Sequence, residues 1–149
     1  MKILLVCSGG GHFTAMLQLK SFWEAHQRIW VTFKTKGVAE SLQAERSYWA
    51  FSPTNRHLPN LIKNGFLAVA VLLRERPDIV VSTGAGVGVP FLILGKLLGA
   101  QALFIESITR TTSLSLSARL VLPFARVYVQ WPQLQQKFPR TIYTGVVVQ

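Results

Sequence analysis

The chain is predicted to fold as an α/β protein with a doubly wound parallel sheet, and three observations carry that prediction. Short apolar runs such as Ile3-Leu4-Leu5-Val6 and Ile79-Val80-Val81 alternate with segments of helical spacing. Several of these runs are apolar on both faces, as strands covered on both sides must be. Two of them run out into glycine-rich loops, Ser8-Gly9-Gly10-Gly11-His12 and Ser82-Thr83-Gly84-Ala85-Gly86-Val87-Gly88. A length of 149 residues fits one domain, 1–149, with room for a sizeable core.

Lys2 to Cys7 reads as the first buried strand, ended by the glycines. Helical spacing over His12–Ala25 places Phe13, Met16, Leu17 and Phe22 on or near one face. The β-branched and aromatic run Arg28–Phe33 is a second strand, Val38–Glu45 a short helix and Tyr48–Phe51 a short strand. Ser52-Pro53-Thr54-Asn55-Arg56 is a loop by its turn residues. Pro59 opens a helix running to about Arg76, where Pro77 and Asp78 stop it before the strand Ile79–Val81. An apolar helix follows the second glycine loop and ends near Gly99, and Gln101–Ile105 is a further strand. Ser113–Phe124 reads as a helix, Arg126–Gln130 as a strand, Pro132–Phe138 as a last short helix and Thr141–Val148 as the start of another element.

Composition narrows the function classes. Half of the residues are hydrophobic and 15% are charged, which excludes a disordered chain. A formal net charge of +10 favours anionic partners: phosphorylated substrates, acidic lipid headgroups or nucleic acid. The basic residues are scattered and no recognition motif is present, so nucleic acid is not expected. One cysteine, Cys7, excludes an internal disulfide and a multi-cysteine metal site; no metal and no cofactor are expected. No secretory signal is visible. Lys96, Pro90 and five glycines make Gly84–Ile105 a helix followed by a strand, not a spanning segment.

In an open parallel sheet, ligands bind beyond the carboxyl ends of the strands, and both glycine loops fall there. Glycine permits tight turns and close ligand approach, and the following helix offers free N–H groups and a positive dipole end. Two such loops facing one crevice suit a diphosphate; the alternative is that they only pack strand-to-helix turns. Neither loop is followed by Gly-Lys-Ser/Thr, and no acidic residue ends the second strand, where Phe33-Lys34 stands, so P-loop and dinucleotide sites are disfavoured. His12, at a helix start whose dipole disfavours the imidazolium, is either an acceptor and general base or a capping residue. Glu106, after Leu103-Phe104-Ile105 and beside Ser107 and Arg110, is a candidate ligand contact. Phe66–Leu73 is apolar all round and flanked by Lys63, Arg74 and Arg76. That pattern fits docking on an anionic membrane, or burial between the sheet and a partner protein.

The glycine loop ending in His12 is followed by Met16-Leu17, and Ser82-Thr83-Gly84-Ala85-Gly86 by Val89-Pro90. Ile105-Glu106-Ser107 with Arg110, Ser113-Leu114-Ser115-Leu116-Ser117, Val129-Gln130-Trp131-Pro132 and Tyr143-Thr144-Gly145 come next in order. Together they resemble the asparagine-linked glycosylation protein 14 family, including the bacterial PssD-type subunits. The resemblance covers essentially the whole chain and implies a Rossmann-like, acceptor-side half of a GT-B glycosyltransferase. It implies a separate nucleotide-sugar-binding subunit as partner, and transfer from a UDP-sugar to a lipid-diphosphate-linked saccharide at the cytoplasmic membrane face. By similarity to the one-chain relative MurG, Gly9, Gly10, Gly11, Gly84, Gly86 and Gly88 would contact the lipid diphosphate, and Ser8, Thr83, Ser107 and Arg110 beside them are further candidate acceptor or diphosphate contacts. His12 and Glu106 would lie at the acceptor hydroxyl as candidate catalytic groups. The eukaryotic subunit carries an N-terminal anchor whereas this sequence opens on its first strand, so peripheral attachment is the expectation. Tyr143-Thr144-Gly145-Val146 falls where a one-chain enzyme would cross to its second domain. A basic nucleic-acid-binding module and a stand-alone small nucleotide-binding enzyme are the alternatives.

Overall fold

Side chains alternate across a strand, so each strand of a covered sheet feeds two cores. In the computed structural model, which describes residues 1–54 and 57–146, Ile3, Leu5 and Cys7 face one layer of helices while Leu4 and Val6 face the other. The strands are β1 (Lys2–Val6), β2 (Gln27–Thr32), β3 (Ser47–Trp49), β4 (Ile79–Ser82), β5 (Gln101–Ile105), β6 (Arg126–Val129) and β7 (Ile142–Tyr143). They form one parallel sheet in the order β3-β2-β1-β4-β5-β6-β7. The order reverses between β1 and β4, a switch point at which two successive crossovers diverge and leave a crevice. The predicted doubly wound α/β fold is the one observed.

Helices α1 (Gly11–Gln18), α2 (Lys20–Trp23) and α3 (Lys36–Ser41) cover the first face. Their buried side chains, among them Phe13, Met16, Trp23 and Val38, pack on Ile3, Leu5, Trp30 and Val81. Trp30 lies edge-on to Trp23, with ring centroids 5.4 Å apart. Helices α4 (Leu58–Glu75), α5 (Gly88–Leu97), α6 (Leu116–Val121) and α7 (Pro132–Lys137) cover the second face. There Ala68, Val71, Phe91, Leu92, Ala118 and Leu134 meet Leu4, Val6, Val80, Phe104 and Val127.

Three sequence readings are corrected. The helix expected over His12–Ala25 breaks at Leu19, whose N–H bonds Met16 O at 3.1 Å while the Trp23 indole N–H takes the same carbonyl at 3.0 Å. The break turns Leu19 and Trp23 into the core in place of Leu17 and Phe22, which are exposed. The helix expected over Ser113–Phe124 is confined to α6, because Ser115 is its N-cap, accepting from Ala118 N at 3.1 Å. Phe66–Leu73 is not apolar to a uniform environment. Ala68, Val71 and Leu72 are buried against the sheet, whereas Leu58, Ile62, Phe66, Val69 and Leu73 face outward, Phe66 with 74% of its surface exposed. Within the loop Ser52–Arg56, Asn55 and Arg56 lie outside the described residues, as do Val147 and Val148 of the last predicted element.

α4 also carries polar anchors. Asn64 donates to Phe51 O at 3.0 Å and accepts from Phe51 N at 2.8 Å, and Asn60 donates to Pro53 O at 2.8 Å. These bonds dock the connection after β3 onto the helix and bring Thr54 to the switch-point crevice.

Candidate functional site

A cleft of about 990 Å³ opens beyond the carboxyl ends of β1, β4 and β5. Its polar surface comes from His12, Gly84, Gly86, Glu106, Ser107 and Arg110, and its apolar walls from Leu58 and Leu61 of α4, Val89 of α5, and Leu116 and Leu120 of α6.

The two glycine loops are stitched to each other through His12. Its Nδ1 lies 2.9 Å from the carbonyl of Thr83, and the Thr83 hydroxyl donates back to His12 O at 2.6 Å. A carbonyl only accepts, so Nδ1 carries the proton and donates, and in the neutral ring Nε2 is left with its lone pair. Gly84 makes room for this seat: its φ is +134°, and a Cβ there would fall on the His12 ring. Gly10 turns the first loop with a φ of +67°, a conformation L-residues rarely adopt. Ala85 is a non-glycine residue with a positive φ, 69°, at the cleft lining, the kind of backbone strain that concentrates at ligand sites.

Glu106 is buried at the end of β5, 2% exposed. Its Oε1 accepts from Ser107 N at 3.1 Å and its Oε2 from Ser115 N at 2.8 Å. Arg110 is exposed on the loop between those two serines, and no ion pair engages it among the described residues. The arrangement is one imidazole nitrogen held as an acceptor, one guanidinium without an ion pair among the described residues, and the backbone of Gly84 and Gly86 before α5. Such a set can bind an anion and remove a proton from a neighbouring hydroxyl.

Residues 55–147 match the model of the family described as "Oligosaccharide biosynthesis protein Alg14 like". The chain belongs to the Alg14 family. Among curated members, the UDP-N-acetylglucosamine transferase subunit ALG14 of Homo sapiens is 32% identical over 99% of this chain and 83% of its own length. The subunit of the same name from Candida albicans is 28% identical over 99% of this chain and 78% of its own length. The fold is shared with Acinetobacter baumannii MurG (TM-score 0.74, 18% identity, 98% of this chain and 46% of that one). A UDP-N-acetylglucosamine 2-epimerase from Rickettsia bellii shares it as well (TM-score 0.76, 12% identity, 99% of this chain and 45% of that one). The chain thus spans about half the length of the solved enzymes it matches.

In this Alg14-family chain the sequence-predicted residues divide into two groups. His12, Gly84, Gly86, Glu106, Ser107 and Arg110 line one cleft. Ser8, Gly9, Gly10, Gly11, Thr83 and Gly88 do not line it. Thr83 is buried and seats His12, while Gly88 begins α5 so tightly against Ser82 that a Cβ would overlap the Ser82 side chain. His57 was not singled out from the sequence, yet it lines the cleft and caps α4, its Nδ1 accepting from Asn60 N at 3.2 Å. The signal was present: a polar residue two positions before Pro59 is an N-cap followed by a first-turn proline. Leu116 and Leu120 of α6 also line the cleft, outside the residues that the sequence points to.

Proposed function

We propose that this chain is the acceptor-binding subunit of a two-component glycosyltransferase. It would present a lipid-diphosphate-linked saccharide to a partner that holds UDP-N-acetylglucosamine or a related UDP-sugar. The observation that carries this reading is the division of the cleft: a floor of His12, glycine backbone and Arg110 under walls of leucine and valine. That is the complement of an amphiphile with an anionic head. The names of the curated family members, UDP-N-acetylglucosamine transferase subunits, support the reaction class.

In the reaction so drawn, Arg110 binds the acceptor's diphosphate beside the backbone of Gly84 and Gly86. His12 Nε2 takes the proton of the acceptor hydroxyl as its oxygen bonds to the anomeric carbon of the donor. The bond from that carbon to UDP breaks, and UDP departs on the partner's side. This chain supplies positioning and proton removal, and the partner stabilises the leaving group.

No helix among the described residues is long and apolar enough to cross a membrane. Peripheral attachment at the cytoplasmic face fits the outward side of α4. Leu58 and Leu61 line the cleft, and the same helix continues through exposed Ile62, Phe66 and Leu73 beside exposed Lys63, Arg74 and Arg76. Each large apolar side chain fully buried contributes about 1.5–3 kcal/mol, and each basic residue near anionic lipid about 1 kcal/mol, screened by salt.

The test is reconstitution with a nucleotide-sugar-binding subunit, following sugar transfer from UDP-N-acetylglucosamine to a polyprenyl-diphosphate-linked saccharide. The isolated chain should bind that acceptor and anionic vesicles, the latter less in high salt and less as Phe66→Asp. Tight binding of UDP-N-acetylglucosamine by the isolated chain, with no acceptor binding, would instead make it a stand-alone nucleotide-binding protein.

A further inference from the structure

The loop from Glu106 to Ser115 is fixed from both ends and from behind. The Glu106 carboxylate accepts from Ser107 N and Ser115 N, so one buried side chain ties the first and last turns of a nine-residue span. Behind the loop, the segment after β6 supplies two side-chain donors: Gln130 Nε2 to Glu106 O at 3.1 Å and the Trp131 indole N–H to Ile108 O at 2.7 Å. Within the loop, Arg110 N bonds Ser107 O at 3.0 Å, closing the turn that carries the guanidinium.

A carboxylate whose two oxygens both hold backbone amides has the geometry of a clamp. The clamp also seats the start of α6, since Ser115 is that helix's N-cap and Leu114 before it is buried in the core. Between the two clamped ends the loop carries Arg110, its one cation, at the cleft lining. We infer that Glu106 and Trp131 are positioning residues for Arg110, together presetting its guanidinium for an anionic ligand. This deepens the proposed reading of the cleft and rests on it. A long arginine loses less conformational freedom on binding when its backbone is already ordered.

The experiment is isothermal titration of the full chain with inorganic pyrophosphate, in a double-mutant cycle. Arg110→Ala should weaken binding about tenfold, the scale of one charge-assisted contact. Trp131→Phe keeps an aromatic ring but removes the indole donor, and Glu106→Gln removes one acceptor; each should weaken binding by roughly three- to tenfold. The combination R110A/W131F should bind no more weakly than R110A alone, because the two changes remove one interaction. A merely structural role predicts the opposite, additive losses that track the melting temperature. Native-state hydrogen exchange supplies a second readout. The amides of Arg110 and Ser115 should exchange faster in both variants while those of β1 and β4 do not, and this holds even if Trp131→Phe melts early. If R110A weakens binding while W131F and E106Q bind as the parent and keep their amide protection, the positioning role is wrong and the anion cleft stands. If R110A also binds as the parent, the anion cleft itself fails and the inference falls with it.

Discussion

At the amino-terminal end of the sheet, Lys2, Arg46 and Tyr48 converge on the buried carboxylate of Glu75, at 3.2, 2.6 and 2.6 Å. At the carboxyl end, His12 and Arg110 face an open cleft and Arg110 has no ion-pair partner among the described residues. Both ends hold charge close to a packed core, but they use it differently. The amino end closes its charges on one another and converts them into stability. The carboxyl end leaves them open to the cleft, where the proposed function places the ligand, and the Thr83–His12 pair fixes the orientation of the imidazole.

The largest expected effect falls at the open end. His12→Ala should lower turnover of the reconstituted enzyme by roughly 10²–10⁴-fold if Nε2 is the general base, with acceptor KM little changed. Gly84→Ala should approach that loss, since its Cβ would displace the imidazole. Gly86→Val separates seat from ligand, because a Cβ at Gly86 meets only Thr54, no nearer than 3.7 Å. Its loss of activity with an intact fold would report blocked acceptor entry. Steady-state kinetics of the three variants, each with a circular-dichroism melt, decides between these roles. Retained turnover in H12A would move the base elsewhere in the cleft.

The closed end predicts stability and not activity. Burial pushes the Glu75 carboxyl up, but hydrogen bonds from Tyr48, Arg46 and Lys2, with the charge of Arg46, outweigh it and hold the group below its ordinary value. Glu75→Gln should cost about 2 kcal/mol, the scale of hydrogen bonds to a charged group, and lower Tm by roughly 4–8 °C. A carboxylate depressed in the fold stabilises it fully above its unfolded pKa, near ~4.3, and loses that contribution as pH falls through the lower, folded value. The gap between parent and E75Q should therefore be widest at neutral pH and shrink below about pH 4. Denaturant melts from pH 3 to 7 check this; a gap that does not depend on pH would mean that Glu75 acts by packing alone.

What was legible in the sequence follows the same division. Strands and glycine loops are local signals, and Ser8–His12 and Ser82–Gly88 lie beyond the carboxyl ends of β1 and β4 as expected, because tight turns demand glycine wherever they lie in the fold. The break at Leu19 was not legible, because it depends on the Trp23 indole reaching back to Met16, a choice between two backbone paths of similar propensity. The contacts of Glu106 were not legible either. Its partner Ser115 is nine residues away and the residues behind the loop, Gln130 and Trp131, lie across the next strand, so no window of periodicity contains them. The outward face of α4 was visible as a run of apolar residues, but which of them faced out depended on the position of Ala68 and Val71 against the sheet.

The smallest expected effect tests whether openness belongs to the whole carboxyl end or only to its glycine loops. Cys7 follows β1 directly and precedes Ser8, yet its side chain is buried with Leu5 and Trp30 in the core on the α1 face. Burial pushes the thiol up to about 12, with only a partial offset from the Thr32 hydroxyl. The thiolate is the reactive form, so at pH 8 only about one molecule in 10⁴ would carry it. Iodoacetamide should leave the native protein unlabelled over hours and label it fully in denaturant. Cys7→Ser should leave turnover within about twofold of the parent while costing roughly 1 kcal/mol, the price of a buried hydroxyl with one available partner. Rapid labelling of the native chain, or a large loss of turnover in C7S, would mean that the cleft extends beneath the first glycine loop into the strand end.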